Sequence, residues 1–159
     1  MKNQKGITLI ALVITIIVLL ILAGVSIAML TGDNGLLTKS QTAVMDNAIA
    51  GAKDKINLSL QEGIADYLQK YYAETNSTTK AGYNAITTVH TTLKKLCGSD
   101  LTAGTLDGCT VVFDSDTAPT KVTITKDTRK CEGTISATAG SATAVGNYSI
   151  TWNTITDNK

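Results

Sequence analysis

The chain has 159 residues, a formal net charge of +1 and a pI near 7.6, a balance that gives no electrostatic bias toward nucleic acid or acidic substrates. Aromatic residues make up 4% and no basic run extends beyond Lys94-Lys95, so a dedicated nucleic-acid groove has no support. Once an apolar N-terminal segment is set aside, the remainder has the size of one ordinary domain with one modest core.

That segment is Ile7–Leu30, ITLIALVITIIVLLILAGVSIAML, which has no charge and no proline; its only polar side chains are Thr8, Thr15 and Ser26. At ~1.5 Å per residue it makes a helix of about 36 Å, enough to cross a hydrocarbon core of ~30 Å with some tilt. Lys2 and Lys5 are the charges before it. The positive-inside bias then keeps the N-terminus cytoplasmic and places everything after Leu30 outside. A secretory signal is one reading, and Ser26-Ile27-Ala28 fits its cleavage site loosely, but the apolar run exceeds the ~7–15 residues of such signals. A plain signal-anchor is a second.

A third reading rests on Lys5-Gly6-Ile7-Thr8-Leu9-Ile10. This edge resembles the prepilin signal of type IV pilins and pseudopilins: a short basic leader ending in Gly, an apolar residue, Thr-Leu-Ile and an unbroken hydrophobic helix. The resemblance covers Met1 to Leu37. It implies cleavage between Gly6 and Ile7 by a prepilin peptidase and methylation of the new N-terminus at Ile7. It further implies that the helix bearing Thr8, Leu9, Ile10, Ala11 and Gly24 moves from the membrane into a filament core of like helices, with pilus assembly machinery as further partner. Thr8, Thr15, Gly24 and Ser26 would permit close helix approach and local hydrogen bonds in either setting. Two positions depart from the family. Its usual Glu at the fifth mature position is Ala11 here, which leaves a neighbour's α-amino charge without a carboxylate, and Ile7 replaces the common Phe or Met.

Gly32-Asp33-Asn34-Gly35 interrupts the helical pattern with a turn or C-cap signal. In the family a bent or melted segment here eases packing, so 31–35 reads as a hinge or as an ordinary loop. From Leu36 to Ala73, Val44, Ala48, Ala52, Ile56, Leu60, Ile64 and Leu68 recur every four residues, with Met45, Ile49 and Tyr71 alongside. The spacing predicts a half-buried helix whose stripe needs a sheet. Glu74–Lys80 reads as a polar loop and 83–97 as a short helix. His90 on that helix has no partnered Asp, Cys or Ser motif and reads as a surface or locally hydrogen-bonded histidine.

After Gly98 the composition turns Thr-rich and β-favouring. Candidate strands are Cys109–Asp114, Lys121–Lys126, Cys131–Thr138 and Asn147–Thr154, within a sheet spanning about 105–155. Their period-two alternation argues an antiparallel sheet with one wet face. Cys97, Cys109 and Cys131 lie on the side argued to be outside, where disulfides persist. Three pairings are open; the family's habit of closing a C-terminal loop favours Cys109–Cys131, which would tie two central strands, over Cys97–Cys109. A zinc site is not expected, given no CxxC and one His. Asp114-Ser115-Asp116 resembles the start of a Ca²⁺ loop but lacks its remaining ligands and Gly, so a solvated turn is expected. Ala137–Gly146 reads as a flexible exposed loop, and Asn57, Asn76 and Asn147 each head a glycosylation triplet.

No catalytic Ser/His/Asp set, phosphate loop, HExxH or paired buried carboxylates are present, and no cofactor, metal or nucleic-acid partner is indicated. The expected protein is α+β: leader 1–6, hydrophobic helix 7–30, hinge 31–35, and an extracellular head 36–159 in which the helix 36–73 packs on an antiparallel sheet. The expected function is that of a structural subunit of a type IV pilus-like filament, a homopolymer held in the cytoplasmic membrane before assembly. The alternatives are a single-pass anchored ectodomain that never polymerises and a pseudopilin of a secretion or DNA-uptake system.

Overall fold

The computed structural model describes the backbone of residues 4–32 and 35–158, and side chains within those ranges from residue 9 onward. The chain divides into two compact units, Met1–Ala43 and Val44–Lys159, with the boundary inside the second helix. In the first unit, α1 runs Gln4–Thr31. It contains no Pro, and its many Ile and Val residues are tolerated because an apolar medium forces each backbone N–H to bond within the segment. The helix stops at Gly32, whose N–H donates to the Ala28 carbonyl at 3.2 Å. A Cβ at Gly35 would stand 2.6 Å from the Leu30 carbonyl oxygen and 2.7 Å from that of Gly32, so only glycine fits there. The second helix, α2 (Leu36–Ala73), then starts with Lys39 N–H donating to the Gly35 carbonyl. Of the hinge residues expected, Gly32 and Gly35 flank this break, while Asp33 and Asn34 lie outside the described residues.

The second unit places the remainder of α2 and a further helix, α4 (Ala85–Cys97), on one face of an antiparallel sheet. The short α3 (Ser77–Gly82) lies between them in the chain and overlaps the stretch Glu74–Lys80 expected to be loop. Its start is set by Asn76, whose side chain accepts from Thr78 N–H at 2.9 Å. The strands are β1 (Gly104–Leu106), β2 (Cys109–Phe113), β3 (Lys121–Lys126), β4 (Arg129–Thr138), β5 (Asn147–Trp152) and β6 (Thr156–Asp157). They form a meander in the order β1-β2-β3-β4-β5, with β6 pairing β4 beyond the end of β5. The fold is thus α+β and pilin-like, as expected: a long N-terminal helical region followed by an antiparallel sheet.

Register puts Val111, Ile124 and Cys131 side by side, and Phe113, Val122, Gly133 and Trp152 in the next inward row. Val112, Thr123 and Glu132 lie between these rows and Thr110, Thr125, Thr134, Thr151, Ser136 and Ser149 to either side of them, and all point the other way, as the pleat requires. Gly133 is needed inward, because a Cβ there would meet Ile150 Cγ2 at 2.7 Å and Trp152 Cε3 at 2.9 Å.

The buried stripe of α2 differs from the predicted one. Ile49, Ala52, Ile56, Ser59, Leu60, Gly63, Tyr67 and Tyr71 are buried, whereas Val44 is exposed and Ala48, Ile64 and Leu68 only border the core. A strict repeat of four advances about 40° per step around a helix of 3.6 residues per turn. Such a row winds off the sheet, and burial instead follows mixed steps of three and four.

Candidate assembly segment and head sites

The first unit presents apolar side chains all round. Leu9, Leu12, Ile17, Leu20, Ile27 and Met29 are each about half to three-quarters exposed, and no protein surface within the unit covers them. The polar groups of the segment are consumed locally. Thr15 donates to the Leu12 carbonyl, Ser26 to that of Leu22 and Thr31 to that of Ile27, at 2.7–2.9 Å. With those hydroxyls satisfied, the described part of α1 offers an apolar medium little that would need water. A Cβ at Gly24 would meet nothing within 4 Å, which leaves an open notch on the helix. Leu9, Ile10, Ala11 and Gly24 therefore sit on one continuous helix, and Ala11 brings no charge to it. The Gly6–Ile7 bond lies near the start of α1, and the side chains of residues 1–8, with Ile7 and Thr8 among them, lie outside those described.

In the head, the three cysteines do not pair. Cys97, Cys109 and Cys131 are free and buried. The expected Cys109–Cys131 bridge fails on topology, because β3 runs between β2 and β4. Two strand spacings of ~4.8 Å exceed the ~7 Å limit between bridged Cα atoms. Burial raises the thiol of Cys97 to about 11 and lifts those of Cys109 and Cys131 as well. Cys131 instead lies 3.2 Å from the Asn153 carbonyl, under the break between β5 and β6.

His90 also departs from expectation. It is buried on the sheet-facing side of α4, its ring edge-on to Tyr148 with 5.5 Å between centroids, and its Nε2 has no partner. The sequence surrounds it with threonines, but the α4 turn carries Thr87 and Thr91 outward and His90 inward.

The two carboxylates of the Asp114-Ser115-Asp116 turn are spent on the protein. Asp114 accepts from the N–H groups of Thr120 and Lys121, and Asp116 from Lys94 Nζ at 2.6 Å and Leu101 N–H at 3.1 Å. Among the described residues no group of three or more His, Cys, Asp or Glu side chains is placed to hold a metal ion. The three glycosylation triplets have structural roles: Asn57 accepts from Trp152 Nε1 at 2.9 Å, Asn76 caps α3, and Asn147 accepts from Tyr148 N–H.

The loop between β4 and β5, expected to be flexible, is pinned by α2. Tyr67 Oη accepts from Gly146 N–H at 2.8 Å, and Tyr71 donates to the Ser141 carbonyl at 3.0 Å. Nor did sequence reasoning find Arg129, which forks across Asp46 of α2 through Nε and Nη2 and reaches Asp157 of β6 through Nη1 at 2.6 Å. Three charges far apart in the chain carry no local signal.

A long apolar N-terminal helix before an α+β head is the arrangement of a pilin-like protein. Residues 1–27 match the family model of the prokaryotic N-terminal methylation motif, the type IV prepilin-type signal. That signal and the apolar helix after it are similar to those of type IV pilin- or pseudopilin-like precursors, and they fit anchoring in a membrane. No curated protein and no solved structure matches it.

Proposed function

We propose that this chain is a structural, non-catalytic subunit of a type IV pilus-like extracellular filament, cleaved after Gly6, methylated at Ile7 and assembled through α1. The observation that carries the proposal is the uncovered apolar girdle from Leu9 to Leu30. Each large aliphatic side chain gains about 1.5–3 kcal/mol when it leaves water, so the girdle needs either lipid or other copies of itself. The same residues hold the subunit in the bilayer and later bind it to its neighbours, with no covalent link. The partners are then the membrane, the peptidase with its assembly machinery, and further copies of this chain.

Ala11 favours a specific second reading, a minor or terminal subunit. Without a carboxylate at this position, a neighbour's α-amino group has no counter-charge from this subunit in the apolar core.

The test is the intact mass and N-terminal residue of protein sheared from the surface of producing cells. A chain starting at Ile7, lighter by six residues and heavier by one methyl group, is expected. A full-length chain confined to the membrane fraction would sink the filament reading in favour of an anchored ectodomain. Gly6→Leu is expected to block maturation, and normal processing of that variant would refute the cleavage site.

A further inference from the structure

The chain contains a single histidine, and the fold has buried it with its Nε2 unpartnered among the described residues. His90 is 6% exposed and Tyr148 1%, and the two rings meet edge-on. Both polar ends, His90 Nε2 and Tyr148 Oη, lack a hydrogen bond. Buried polar groups are nearly always paired, so two orphans in one contact call for an account. A neutral imidazole has one N–H to satisfy, whereas the imidazolium has two and a charge that must leave water.

The charged surroundings do not supply what the imidazolium needs. From its own helix, Lys94 opposes a second positive charge, while Asp116 from the β2–β3 turn favours it. Asp116 is already committed to Lys94 Nζ and Leu101 N–H. From the sheet comes Tyr148, whose hydroxyl feels the Asp114 carboxylate. Where α2 runs beside α4, Asp66 and Lys70 share a groove with Thr87, Thr91 and Lys95.

We propose that His90 is an acid-operated latch in the head: uncharged, it keeps α4 seated on β5 through Tyr148, and protonation loosens α4 from the sheet. The latch is placed to act on α4 specifically, since Val89 and Leu93 flank His90 on the same buried face. Burial, reinforced by Lys94, holds the imidazole below its usual titration range, consistent with the geometry.

Because there is one histidine, its ring signals can be followed without ambiguity by NMR on the full chain in detergent micelles. The midpoint is expected below the ~6.5 of an unperturbed histidine. Hydrogen-exchange protection of α4 amides such as Val89 and Leu93 is expected to fall at least tenfold between pH 7 and pH 5, while that of Ile124 and Cys131 in β3 and β4 holds. His90→Phe keeps an aromatic edge against Tyr148 and removes the titration, so its α4 protection is expected to be independent of pH over that interval. A ring that titrates near 6.5 with unchanged protection would overturn the latch, and so would acid loosening of α4 that persists in His90→Phe. Should the variant fail to fold, the wild-type titration and exchange decide alone.

Discussion

A methyl group at Gly63 would stand 2.9 Å from Val89 Cα and 3.1 Å from Thr92 Oγ1, so at this point α2 and α4 touch backbone to backbone. Alanine at a helical glycine ordinarily gains up to ~1 kcal/mol, but overpacking of this kind costs about 1–3 kcal/mol. Gly63→Ala is therefore expected to lower the thermal midpoint, and a raised midpoint would show that the crossing relaxes freely. The thiols offer a second residue-scale measurement. Buried and protonated at neutral pH, they should resist a maleimide in the native protein and all three should react once it is unfolded. A single reactive thiol after unfolding without reductant would reveal a disulfide. Acid acts through two sets of groups. His90 titrates lower in the fold than in the unfolded chain, so its contribution falls as pH drops from ~6.5 toward the folded value. Asp116 and Asp100 are held below the usual carboxylate range, Asp116 chiefly by Lys94 and Asp100 by Thr102. Their contribution is present above ~3.9 and is lost below it. Unfolding monitored from pH 7 to pH 2 should show two successive declines, and His90→Phe should remove the first.

Among the elements, the strands were the most legible. Val122 and Ile124 alternate with Thr123 and Thr125 across the whole of β3, and its bounds coincide with those read from the pattern. β2 ends one residue sooner than expected, β4 starts two sooner and β5 ends two sooner. β1 and β6 were missed because three and two residues respectively are too few to show a period. The disulfide expectation failed for a different reason. It set β2 and β4 side by side, although successive short connections lay β3 between them, as chain order usually does. In α2 the spacing revealed the helix and put Ala52, Ile56 and Leu60 in the core, but a rigid repeat of four drifted off the inner face at Val44, Ala48, Ile64 and Leu68. His90 and Arg129 became visible only once α4, β4 and α2 had been brought together. Arg129 is itself an element-scale device, because it fastens β6 and the beginning of the head portion of α2 to β4. Arg129→Met should free the C-terminal strand, raising exchange at Asn158, whose N–H donates to the Thr128 carbonyl, and hastening proteolysis there. Unchanged protection would mean that the strand pairing suffices.

For the whole molecule, the division at Ala43 and Val44 separates two kinds of stabilisation. The head closes its own core from α2, α4 and the sheet, whereas the first unit leaves its apolar residues uncovered. A fragment from Val44 to Lys159 is expected to unfold cooperatively and to stay monomeric without detergent, while the full chain requires detergent or lipid. Aggregation of the fragment would place part of the head's cover in the N-terminal unit. The prepilin-type signal was readable because membrane crossing and peptidase recognition act on a contiguous stretch. The head's chemistry was much less so, since its decisive contacts join residues such as Asp46, Arg129 and Asp157 that lie far apart in sequence.

That same guanidinium also fastens the start of the head portion of α2, at Asp46, to β6, at Asp157. A module whose first helix and last short strand are clasped at one point behaves as a cassette. Its interior loops and strands can be lengthened, swapped or redecorated while that fastening, and the apolar helix that precedes it in the chain, stay as they are.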